Sequence, residues 1–215
     1  MIARNDTPQR DLVVLVHGLA AHRLMMHLLA QTLQQVFAGV VNWGYPSLFS
    51  PIEQHGRALA ALLEQLDEED GHDRIHLVGH SMGGIICRLA LSHYTPRHFG
   101  RFVMIAPPNR GSHVARHLAP YLGRICPPLV QLADEDESFV CSLPQPQVRE
   151  LGIIAAKTDI LVLEPSTRLG CECDHIVLPG RHSSLLWRRE TADQVRHFLE
   201  NGRFKRAESN LRAAG

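Results

Sequence analysis

Neither sign of charge is in excess: 22 basic residues stand against 22 acidic ones in a chain of 215, a formal net charge of +0. The chain therefore lacks the electrostatic footprint expected for nucleic acid or an anionic membrane surface. No apolar run approaches the roughly 18 residues that suggest a membrane span. The opening MIARNDTPQRD has no apolar core of the secretory type. A disulfide framework is also missing, because Cys87, Cys126, Cys141, Cys171 and Cys173 form an odd set without a framework spacing. These absences lead us to expect a cytoplasmic protein with reduced thiols, no nucleic-acid partner, no stable membrane insertion and, by default, a monomeric state.

What is present fits a single globular domain over 1–215, since 45% of the residues are hydrophobic and 20% charged. Short apolar runs rich in β-branched residues alternate with longer stretches of helical periodicity, the pattern of a mostly parallel, doubly wound α/β sheet. About six strands are expected, over 12–17, 39–43, 74–79, 101–106, 151–156 and 175–179. Between Leu24 and Phe37 the apolar positions Leu24, Leu28, Leu29, Leu33, Val36 and Phe37 recur every three or four residues, which predicts one long amphipathic helix. Further helices are expected over 58–66, 84–94 and 191–199, the first of them ended by DEEDG at 67–71 and the last followed by a frayed tail after Phe204. Residues 107–150 break this rhythm. They carry seven of the 13 prolines and separate two strands, so they are expected to form a lid inserted in the domain, a surface excursion being the alternative. Val114, Leu118, Tyr121, Leu122 and Ile125 have helical spacing within it.

The junction of the third strand and the helix after it reads GHSMG, residues 79–83. This is G-x-S-x-G, in which a tight strand-to-helix turn lifts a serine hydroxyl above the sheet and leaves no room for side chains two residues to either side. Gly79 and Gly83 supply that room, and the helix N-terminus favours negative charge near Ser81. A helix-capping serine is the plainer alternative. A hydroxyl nucleophile needs a base, and it needs donors for the oxyanion it creates. The amide of Met82, next to the serine, and that of Leu19, after His17-Gly18 at the end of the first strand, suit the second need. His17, Gly18 and His80 are expected to border the substrate beside them.

LVHGLA, then GHSMGG, then APPNRGS resembles the lipase and esterase branch of the α/β-hydrolase superfamily. TDILVLEPSTRL followed by DHIVLPGRHSSLL is similar to the acid and histidine region of its small bacterial members. The resemblance implies a sheet topped by catalytic loops, a serine nucleophile, no cofactor and no metal, and an order of serine, acid, histidine. Among 14 histidines, His182 follows the last strand and can fold back over the sheet's carboxyl end. His175 precedes that strand and His197 falls in the last helix. Asp159 lies on the loop after the fifth strand, with Glu164 and Asp174 as alternative acids.

The expected chemistry is acyl transfer from a small-molecule ester, with lipid among the candidate substrates, through an acyl-enzyme on Ser81. Activity should fall toward acid pH, because a histidine base works only when neutral. An acyltransferase using the same groups, or a non-catalytic binding protein on the same fold, are the alternatives. CECDH, residues 171–175, superficially suggests a metal site but lacks a second ligand pair. Asn109, in PPNRGS, is expected near the pocket rim, anchoring the lid or shaping the acyl pocket, and Tyr45 and Pro46 are similarly placed.

Overall fold

The computed structural model describes residues 10–206 except 70 and 136; most of the opening stretch and most of the tail discussed above lie outside these residues. Six strands form one wholly parallel sheet: β1 (Leu12–Val16), β2 (Gly39–Trp43), β3 (Ile75–His80), β4 (Phe99–Ile105), β5 (Leu151–Ala156) and β6 (Asp174–Leu178). Their order across the sheet is β2-β1-β3-β4-β5-β6. The chain thus leaves β1 toward one edge and returns on its other side with β3. At such a switch point the loops leaving two neighbouring strands part, and a crevice opens outside the strands' carboxyl ends.

The alternation of a strand's side chains assigns each face its own core. Leu12, Val14 and Val16 face a cluster shared with α2 (Ile52–Glu68) and α3 (Met82–His93), whereas Val13 and Leu15 face α1 (His27–Gln34) and α7 (Arg189–Asn201). Helix α3 is buried from Met82 to Leu91, so it carries no polar stripe. Gly56 of α2 lets it approach closely, since a β-carbon there would fall 2.6 Å from the Leu89 side chain.

The long helix expected over 24–37 is divided into a 3-10 turn, Arg23–Met26, and the shorter α1. The His22 imidazole accepts from Leu24 N at 3.3 Å and starts the turn. At the other end Val36 N and Phe37 N both donate to Leu33 O, which closes the helix before β2. Leu24 and Val36 consequently face solvent instead of joining the apolar face.

Between β4 and β5 the expected insert forms three short helices, α4 (His113–Leu122), α5 (Pro127–Gln131) and α6 (Phe139–Ser142). Ser112 caps α4 by accepting from Ala115 N, and Gln131 Oε1 ties α5 to the first turn of α2 by accepting from Ile52 N at 2.7 Å. Among the described residues no helix is long and apolar enough to cross a membrane.

Candidate active site

Ser81 stands between β3 and α3 with φ 53 and ψ −127, a backbone conformation that costs a non-glycine residue of order 1–3 kcal/mol. The neighbouring glycines make it affordable in space: a β-carbon on Gly79 would lie 2.5 Å from Gly84 N, and one on Gly83 would collide with the carbonyls of Val16 and His17. Ser81 N donates to Ile105 O at 2.8 Å, which pins the turn to β4.

His182, just after β6, turns its ring back over the sheet. Its Nε2 lies 2.8 Å from Ser81 Oγ and its Nδ1 2.7 Å from Asp159 Oδ2, all three side chains being buried. Because a carboxylate only accepts, Nδ1 carries a proton, leaving Nε2 of the neutral ring to accept from the serine hydroxyl. Asp159 Oδ1 also accepts from Leu161 N at 2.9 Å and Val162 N at 3.0 Å. Burial alone raises this carboxyl, but the bond and charge of His182 and the two amides outweigh it and hold it below the usual aspartate range. The other acids weighed from the sequence lie elsewhere. Glu164 pairs with Arg168, and Asp174 accepts from Phe204 N and Arg206.

The two residues whose amides are expected to hold an oxyanion adjoin the same serine turn. Met82 begins α3, where no intrahelical acceptor exists for its N–H. Leu19 lines the cleft in front of Ser81, and Gly18 packs so close that a β-carbon on it would sit 2.9 Å from Ser81 Cβ. Ala20, next in the chain, has a positive φ of 52.

In front of Ser81 lies a cleft of about 250 Å³ whose walls are Ala20, Ala21 and Met25 from the loop after β1, Val114, Ala115, Leu118, Leu129 and Leu132 from the insert, and Leu161 and Val162 from the loop carrying Asp159. Among the described residues its polar lining is confined to His80, Ser81, Ser112, His182 and Ser183, with no charged residue. His80 Nε2 lies 3.3 Å from the His182 carbonyl, and burial, reinforced by the nearby His182, pulls its pKa down to about 3. It therefore stays neutral and adds no competing cation.

Two sequence expectations need correction in place. Asn109 does not line the cleft: its buried amide accepts from Arg88 Nη1 at 3.1 Å and donates to Thr167 O at 2.7 Å, joining α3 to the loop that follows Asp159. His17 and Tyr45 lie behind the Gly18 loop rather than beside the substrate space, their rings stacked 4.3 Å apart. In CECDH, His175 Nε2 engages Thr167 Oγ1, and among the described residues no group of three or more His, Cys, Asp or Glu is placed to hold a metal ion. Sequence reasoning missed Arg88, whose guanidinium is buried with only neutral acceptors, Asn109 Oδ1, Leu143 O and Pro144 O. A charged residue in the middle of the apolar run IICRLAL was the signal.

A family model described as the alpha/beta hydrolase fold matches residues 11–127. No curated protein matches the chain in sequence. Among solved structures, Aspergillus fumigatus lipase B superposes with a TM-score of 0.73 at 16% identity, over 89% of this chain and 53% of that one, so the chain spans about half its length. The mature Bacillus licheniformis lipase BlEst2 gives a TM-score of 0.65 at 18% identity, covering 86% of this chain and 90% of the other. The type II thioesterase BorB of the borrelidin biosynthetic cluster also gives 0.65 at 18%, covering 92% and 94%. At such identities the likeness is one of fold. With the match running from the first strand through the serine turn into the insert, the chain belongs to the α/β-hydrolase fold family.

Proposed function

We propose that this protein is a serine hydrolase that cleaves carboxylic esters with uncharged, apolar acyl groups of short to medium length, acting as a monomer in the cytoplasm. The observation that carries the reading is the chain of hydrogen bonds from Ser81 through His182 to Asp159, opening on a cleft lined by aliphatic side chains. Reduced thiols suit the compartment, as all five cysteines are unpaired.

His182 Nε2 takes the Ser81 proton as Oγ attacks the ester carbonyl, and Asp159 holds the ring and balances the imidazolium charge. The tetrahedral oxyanion faces the Leu19 and Met82 amides. His182 then protonates the departing alkoxide, leaving an acyl-enzyme, and the same ring activates water to release the acid. Residues 107–150 act as the lid, with Ala115, Leu118 and Leu129 covering the acyl chain. The rim continues outward in exposed apolar residues, Leu118 and Leu161 on the lining and Ile160 beside them.

A series of p-nitrophenyl esters tests this. Acetate to octanoate should be hydrolysed by the native protein, with turnover lowered on the order of a millionfold in Ser81→Ala. Ala115→Trp, which fills the cleft from the lid side, should shift the preference toward acetate. Turnover indifferent to loss of the Ser81 hydroxyl would refute the reading.

A further inference from the structure

The loop behind the oxyanion site is held by a side chain that the reaction does not touch. His17 Nδ1 lies 3.0 Å from Gly18 O, and Tyr45 N lies 3.5 Å from His17 Nε2. A carbonyl can only accept and an amide N–H can only donate. The two contacts therefore select one form of the ring, neutral with its proton on Nδ1. Tyr45 adds a second tie from its hydroxyl, which donates to His17 O at 2.6 Å while its ring stacks on the imidazole. His17 is buried and Tyr45 half-buried, and burial lowers the His17 pKa while it raises that of Tyr45, so each keeps the protonation state these bonds require.

Gly18 O belongs to the same peptide unit as Leu19 N. That unit is trans, as are all the described peptide bonds, so its N–H points opposite to its C=O. Fixing the oxygen toward the His17 ring aims the Leu19 N–H the other way, toward the space above Ser81 against which Gly18 packs. The carbonyl bond also polarises the amide, because hydrogen bonds in a chain strengthen one another.

We propose that His17, in its Nδ1-protonated form and backed by Tyr45, is a positioning residue that orients and polarises the Gly18–Leu19 peptide as an oxyanion donor. This rests on the serine-hydrolase reading. An oxyanion donor acts on the tetrahedral state more than on the planar substrate, so its misalignment lowers kcat while KM changes little.

The test compares His17→Leu, His17→Gln, His17→Asn and Tyr45→Phe with the native enzyme, using p-nitrophenyl butyrate and an aliphatic trifluoromethyl ketone, which forms a tetrahedral adduct on the serine. The asparagine amide nitrogen occupies nearly the place of Nδ1, whereas that of glutamine matches Nε2. His17→Leu and His17→Gln should lose about tenfold to a hundredfold in kcat, with KM within about threefold and ketone affinity weakened in parallel with kcat. His17→Asn should recover most of both, and Tyr45→Phe should lose a smaller factor in the same two quantities. Equal kcat and ketone affinity in native, glutamine and asparagine forms would overturn the proposal, as would a uniform loss in all three substitutions without the asparagine rescue. If His17→Leu does not fold, the glutamine and asparagine pair carries the comparison. Native turnover that survives Ser81→Ala would instead defeat the hydrolase reading, a result separate from any effect at His17.

Discussion

Among the described residues, three that are not glycine, Ala20, Ser81 and Ala106, have positive φ, and each directly follows or lies near the carboxyl end of β1, β3 or β4. Strain is concentrated where the loops converge on the serine. The sequence announced only the middle one, because Gly79 and Gly83 bracket Ser81 in a recognisable pattern, while the two alanines leave no trace that distinguishes them from helical alanine. Ser81, Asp159 and His182 could be singled out because strand ends and chain order restrict the choice. The stack of Tyr45 on His17 could not, since it depends on how β2 is laid beside β1. At this scale Asp159→Asn should lower kcat about ten-thousandfold with little change in KM, as the imidazole loses its preferred tautomer. The same carboxyl, held below its ordinary value, contributes stability that is present above about pH 4 and lost as pH falls through its folded value. Denaturant titrations should therefore show a shallower acid limb for Asp159→Asn than for the native protein; superimposable limbs would show that the carboxyl makes no such contribution.

Among the elements, the strands were read within a residue or two because buried parallel strands are short apolar runs with β-branched residues, and β5 matches its expected bounds. Helices were less legible. Helix α2 begins at Ile52, six residues before the sequence periodicity suggested, because its first turn is fixed by Gln131 from the insert rather than by a local cap. Helix α3 carries Arg88 into the core, where burial draws the guanidinium down to about 10, still charged at neutral pH. Its bonds to Asn109, Leu143 and Pro144 tie the helix that follows Ser81 to both ends of the insert. Arg88→Met removes the charge but leaves those acceptors unpaired, so unfolding by guanidinium should be easier by about 2–4 kcal/mol. No measurable change would mean that water replaces the lost donors.

Across the whole molecule, the switch between β1 and β3 brings the Gly18 loop beside the serine turn, and the parallel sheet brings the loops after β5 and β6 to the same rim. Alternating runs indicated a parallel sheet, but strand order depends on which side each crossover takes, and no local pattern encodes that. The molecule also buries His17, His55, His76 and His80, each with a pKa lowered first by burial. Below about pH 6.5 the unfolded chain binds protons at these positions more readily than the folded one, in which His80 stays neutral down to about 3. Stability should accordingly rise with pH across this window, and between pH 6 and 5 its slope should be at least about 1 kcal/mol per pH unit, most of the roughly 1.4 kcal/mol that one full proton contributes. A flat guanidinium midpoint over that interval would contradict the burial of neutral imidazoles. The central claim is that one buried hydroxyl is activated by one histidine. Its most direct measurement is the intact mass and peptide map after reaction with an alkyl fluorophosphonate. The account predicts a single adduct on Ser81, absent from Ser81→Ala and formed far more slowly in His182→Ala. An unmodified native protein, or an adduct on another residue, would contradict it.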